Sequence, residues 1–236
     1  MLAHVVLQPD EKQEMNEITP LLTLLTVHVI ALMSPGPDFA LVVQNAGRHG
    51  RQTGITIALG LSLGILLHSI LSLTGASLLI HQQPTLFALL QAVGGGYLLW
   101  LGIGAVKSVL RPLWNKSDQP SSGVATITNT GRQPLLDNRK QALARGFTTN
   151  ILNPKALVFF LSLLSTLVPA SMSITGKVTA IGLLWLTSFL WFAMLAWLLT
   201  GQRLQQKLQQ WTPYIDAMCG LLFVSIGSMI LLNLVL

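Results

Sequence analysis

Charge is what this chain has least of: Asp, Glu, Lys and Arg make up 9% of its 236 residues, against about 25% in an ordinary soluble domain. With 51% hydrophobic residues and a mean hydropathy of +0.61, that scarcity excludes a water-soluble globule and reads as an integral membrane protein. Cysteine is almost missing as well. The single Cys219 excludes an intrachain disulfide and a cysteine-based metal cluster, so no metal site and no cofactor is expected. Gly47 and Gly50 follow no strand and precede no Gly-Lys-Ser/Thr, which removes a nucleotide loop. No His-Glu-x-x-His pair and no aspartyl dyad occur in the apolar runs, so an intramembrane enzyme is not expected. Nucleic acid is not expected either. The net charge of +6 comes from basic residues in short segments between apolar runs, where the positive-inside rule accounts for them.

What the chain does have is long apolar runs, and the first is interrupted. Within Ile18–Ala46 stands Ala31-Leu-Met-Ser-Pro-Gly-Pro-Asp-Phe-Ala40. Pro35 and Pro37 each remove a backbone donor and clash with the preceding turn, and Gly36 frees the backbone between them. The helix must break near Ser34–Pro37. In hydrocarbon a broken helix is tolerated only where its freed amides and carbonyls face protein or a wet cavity, and an aspartate there costs roughly 2.5–3.5 kcal/mol unless paired or protonated. Ser34, Pro35, Gly36, Pro37 and Asp38 are therefore candidate site residues.

Six apolar runs, about 18–46, 53–80, 86–110, 146–170, 178–200 and 214–236, approach or exceed the roughly 20 residues a bilayer requires. The expected fold is an all-α membrane protein of six transmembrane helices. Loops alternate in charge. The first holds Arg48, His49 and Arg51, the second none, the third Arg111, Lys116, Arg132, Arg139 and Lys140, the fourth only Lys177, the fifth Arg203 and Lys207. Odd loops are thus cytoplasmic and both termini outside. Residues 1–17 form an acidic tail with the wrong charge for a signal peptide, and Met15 is an alternative start to Met1.

The Ser-, Gly- and Pro-rich linker 111–145 divides the chain into residues 18–110 and 146–236, three spans each. Its end, Leu135 to Arg145, reads as an interfacial helix. An odd number of spans per half turns the second half upside down, so the halves are expected to be inverted repeats. The first helix of the second half carries Asn150-Ile-Leu-Asn-Pro-Lys155. Asn153-Pro154-Lys155 matches Gly36-Pro37-Asp38 in type: a cap, a proline at the first helical position, then a charge. Asn150, Asn153, Pro154 and Lys155 join the candidates. Gly95 and Gly102 have the spacing of Gly220 and Gly227.

Each restart leaves a half-helix N-terminus with unpaired amides and a partial positive charge, suited to a carboxylate. Asp38 and Lys155, opposite in sign at equivalent points, are expected to pair and to switch proton occupancy as the pair loosens. His28 and His68 are secondary candidates within spans. Gly60-Leu-Ser-Leu-Gly64 is a small-xxx-small packing face whose partner helix, in this chain or in a second copy, stays open.

Val27–Phe39, Gly-Arg-His-Gly-Arg-Gln-Thr-Gly at 47–54 and Gly146-Phe-Thr-Thr-Asn-Ile-Leu-Asn-Pro-Lys-Ala156 resemble the lysine-exporter/homoserine–threonine-exporter (LysE/RhtB) superfamily, in particular its threonine and homoserine branch. The resemblance covers the chain from about residue 16. It implies efflux of amino acids from the bacterial cytoplasm across the inner membrane, driven by the proton motive force. Amino acid, protons and lipid bilayer are then the partners. Export of another small metabolite, or a membrane assembly role without transport, is the alternative.

Overall fold

The computed structural model describes residues 9–114, 139–169, 171–199 and 202–235. The tail before Pro9 and most of the 111–145 linker lie outside the described residues. Those described are all-helical: α1 (Pro9–Met33), α2 (Pro37–His49), α3 (Arg51–Gln82), α4 (Pro84–Trp114), α5 (Arg139–Ile151), α6 (Pro154–Leu167), α7 (Ile174–Leu198) and α8 (Gln202–Val235).

Four stretches are long and apolar enough to cross a membrane: Arg51–Gly75, Thr85–Lys107, Ile174–Leu198 and Gln210–Leu234. The remaining four helices form two bent pairs that each pass the same test together, giving up to six spans. The bends are 56° between Glu17–Met33 and Pro37–His49, and 60° between Arg139–Ile151 and Pro154–Leu167. Proline sets both. Pro37 and Pro154 each open a helix, where a missing N–H costs nothing, and each denies a bond to the carbonyl four residues earlier.

Several boundaries differ from the sequence expectation. The acidic tail is helical from Pro9 and continuous with α1. The segment read as a separate interfacial helix is, from Arg139 on, the start of α5, because no breaker interrupts 139–151 and Ala142 and Gly146 already face the core. The stretch 201–213 is helical from Gln202, with Pro213 accommodated inside α8. Between α2 and α3 only Gly50 remains, at φ 85°, a left-handed conformation that glycine adopts without a Cβ clash.

The central helix is α3: 56% of its apolar window is buried, against 22–28% for the other three uninterrupted spans. Glycines let neighbours reach its backbone. A Cβ on Gly60 would strike the Leu143 carbonyl and come 3.1 Å from Gly146 Cα, and one on Gly64 would meet Asn150 Cβ at 2.8 Å. Both contacts step in the same direction, so α3 and α5 run parallel. The small-xxx-small face therefore packs within the chain. Gly60-Leu-Ser-Leu-Gly64 also spells the letters of a hydrolase nucleophile elbow. In the structure it is uninterrupted helix, and the buried Ser62 hydroxyl donates to Leu59 O at 2.8 Å, so no exposed nucleophile results.

On the periphery α4 lies against α8 through a second glycine seam. A Cβ on Gly102 would sit 2.6 Å from Gly220 O, and one on Gly227 would sit 2.6 Å from Gly95 O. Pairing 102 with 220 and 95 with 227 makes these helices antiparallel. α1 runs beside α7 and is tied to it by Glu17, about two turns into α1, whose carboxylate accepts from Ser173 N (2.6 Å) and Ser173 Oγ (2.9 Å). Ser173 Oγ in turn caps Gly176 N at 2.9 Å. A carboxylate at this end of α7 also complements the helix dipole.

Candidate functional site

The two breaks meet inside the bundle. Around them is a cavity of about 60 Å³. His28, Ser34, Gly36, Asp38, Asn150, Asn153 and Lys155 supply its polar wall. Phenyl rings of Phe39, Phe159, Phe160, Phe192 and Phe223 line most of the rest, with Ala31, Leu32, Ile65 and Ala156. Of the sequence candidates, Pro35, Pro37 and Pro154 shape the breaks without lining the cavity, and His68 stands behind Asn150.

The hydrogen bonds cross between the halves. Asn150 Nδ2, in the last turn of α5, donates to Asp38 Oδ2 at the start of α2 over 2.7 Å. Lys155 Nζ, at the start of α6, donates to Ser34 Oγ just after α1 over 2.5 Å. The charge after each break is thus held by a neutral side chain before the other. This corrects the expected ion pair: among the described residues Asp38 and Lys155 are not joined directly and act on each other through space. The physical reason is that each charge finds a short neutral dipole nearer than the opposite charge, which satisfies a buried group without collapsing the cavity.

The helix starts differ as well. Asn153 Oδ1 accepts from Lys155 N at 3.1 Å, so α6 is capped by its own side chain. Gly36 caps α2 with extended backbone (φ −166°) and no side-chain bond. That open N-terminus faces the cation: a Cβ on Gly36 would lie 3.7 Å from Lys155 Nζ. Lys155 Nζ also stands 5.3 Å from the centre of the Phe223 ring, within cation–π range. Asp38 Oδ1 and Asn150 Oδ1 are buried without a hydrogen-bond partner among the described residues. The cavity is therefore lined by a cation, by the uncapped start of α2 and by a carboxylate with unused acceptor capacity.

Both histidines are buried and bonded. Ser188 Oγ donates to Leu184 O at 2.6 Å, which leaves His28 Nε2 to donate to Ser188 Oγ at 2.8 Å. Their rings flank Phe160, His28 at 5.6 Å and His68 at 6.2 Å between centroids. The phenyl wall escaped the sequence reading, because an aromatic residue in an apolar run carries no signal of which face it occupies. Asp216, on the α8 face that also carries Cys219 and Phe223, interacts electrostatically with Lys155, and its place near a span end carries no sequence signal of this. No group of three or more His, Cys, Asp or Glu that could hold a metal occurs among the described residues.

Comparison with known proteins agrees with this architecture. The family model described as LysE type translocator matches residues 29–234. The threonine efflux protein of Escherichia coli K12 is 29% identical over 212 residues, covering 90% of this chain and 97% of that protein. Its Salmonella typhi namesake is 28% identical over 211 residues, covering 89% and 97%. An uncharacterized membrane protein of Haemophilus influenzae is 27% identical over 213 residues, covering 90% and 96%. No solved structure matches the chain. With 29–234 matched in one stretch that takes in both breaks and every cavity-lining residue except His28, this chain belongs to the LysE type translocator family.

Proposed function

We propose that the protein exports a small neutral amino acid, of the threonine or homoserine kind, across the bacterial inner membrane in exchange for protons. The observation that carries this reading is the cavity between the breaks, lined by Lys155, by the uncapped start of α2 and by Asp38 in its first turn. A zwitterion has the complementary charges. Its carboxylate displaces the Ser34 hydroxyl from Lys155 and takes the first amides of α2. Its ammonium takes Asp38 and the spare Oδ1 of Asn150, with phenyl faces as further support. The limited room favours a short side chain.

The two halves, 18–110 and 146–236, act in this reading as inverted repeats, with both termini outside and 111–145 a cytoplasmic linker. In its favour, the bends are alike in angle. The glycine seam also maps onto itself: exchanging Gly95 for Gly220 and Gly102 for Gly227 turns each contact into the other. Such a relation is what a two-fold axis in the membrane plane produces. Alternating access then rocks one half against the other around the cavity. Asp38 carries the returning proton: once protonated from outside it no longer holds a cargo ammonium, and the empty site resets.

Counterflow of labelled threonine into proteoliposomes preloaded with threonine tests transport. Accumulation dependent on the protein supports it. Its absence for threonine, homoserine and other neutral amino acids, with the protein inserted and folded, would leave export of a different metabolite or a role without transport.

A further inference from the structure

We propose that His68 is a positioning residue for the cargo site, holding Asn150 so that Asn150 holds Asp38; this rests on the exporter reading above. The placement begins with Pro154. Having no N–H, Pro154 cannot bond the carbonyl four residues before it, which belongs to Asn150. That carbonyl accepts instead from Asn153 N at 3.0 Å and from His68 Nε2 at 3.2 Å. A carbonyl only accepts, so His68 Nε2 is the donor in this bond.

The site behind Asn150 is built for this contact. Asn150 is fully buried and His68 is 3% exposed. Gly64, one turn before His68 on α3, leaves the space that the Asn150 side chain fills. The His68 ring lies nearly parallel to Phe160, 8° between planes, which fixes its orientation. From α3, then, one N–H anchors the last turn of α5 at the residue whose side chain reaches 2.7 Å to the carboxylate on α2. Three helices are joined through a carbonyl that the break set free. His68 touches no cargo; its effect is transmitted.

The test separates positioning from packing. His68→Phe keeps the ring on Phe160 and removes the donor, whereas His68→Gln restores a donor. In threonine counterflow His68→Phe should raise the half-saturating concentration about tenfold, the scale of one lost buried hydrogen bond, and His68→Gln should return it to within about threefold of the parent. In an Asn150→Ala background His68→Phe should add nothing, because the side chain it acts through is gone. Independently of transport, the side-chain amide resonance of 15N-labelled Asn150 should shift in His68→Phe and return in His68→Gln. Parental half-saturation and an unmoved resonance in His68→Phe would overturn the role, as would full additivity with Asn150→Ala. If the parent moves no amino acid, the exporter reading fails and the resonance alone decides for His68.

Discussion

Asn150 Nδ2 reaches Asp38 Oδ2 over 2.7 Å, joining the helix that enters one break to the helix that leaves the other. Lys155 and Ser34 repeat the arrangement with the roles of the halves exchanged. Two neutral tethers therefore keep opposite charges apart across a cavity. A zwitterion that inserts between the charges would displace Ser34 from Lys155, while the unused Oδ1 of Asp38 lets the Asn150 tether stay in place.

Asp38→Asn should separate coupling from exchange. The amide keeps the shape and can still accept from Asn150, yet it carries no titratable proton. In proteoliposomes we expect export driven by a pH gradient to be lost while threonine exchange continues. Gradient-driven accumulation at the parental level would reject Asp38 as the proton carrier.

Lys155→Met retains the long stem beside Phe223 and deletes the ammonium. A charged hydrogen bond of about 1.5–3 kcal/mol is at stake, so half-saturation for threonine should rise by roughly 10- to 150-fold. Threonine amide, which has no carboxylate, should be indifferent to the change. Equal loss for both compounds would place Lys155 outside carboxylate recognition.

Gly60→Leu should disturb assembly, because even its Cβ would strike the Leu143 carbonyl of α5. Overpacking of this kind costs about 1–3 kcal/mol or more, read as a lower melting temperature in detergent. Gly182, with nothing within 4 Å of its Cβ position, is the control: Gly182→Ala should be neutral or stabilising by up to about 1 kcal/mol.

Glu17→Ala removes the acceptor held by Ser173 N and Ser173 Oγ. Loss of a helix cap typically costs about 0.5–2 kcal/mol. Melting should fall while the half-saturating threonine concentration stays at the parental value, since Glu17 lies outside the cavity. A change in half-saturation without a change in melting would contradict this division of labour.

Cysteine labelling from either side should find 47–52, 111–145 and 201–213 accessible from the cytoplasm and both termini accessible from outside. A cytoplasmic C-terminus would break the two-fold relation between the proline motifs.

The breaks were legible because Pro37 and Pro154 act through backbone chemistry that needs no tertiary context. The partners of the charges were not. Whether Asp38 meets Lys155 or Asn150 depends on how two bent helices cross, and Asn150 lies 112 positions away along the chain. Helix ends misled where composition and conformation part company: 139–145 and 202–212 are polar enough to read as loop, yet contain neither proline nor glycine to stop a helix. The phenyl wall was invisible for a related reason. Phe159 and Phe160 sit in a run so uniformly apolar that no periodicity marks an inner face.

The lone thiol offers a use of its own. Cys219 is 1% exposed, and its Sγ donates to Ile30 O across the α1–α8 boundary at 3.3 Å. Since the chain has no other cysteine, a membrane-permeant maleimide needs no engineered background to report on that boundary. Its rate of attack on the unaltered protein is a clock for how often the two helices part, and adding cargo shows whether the seam opens or stays shut as the carrier turns over.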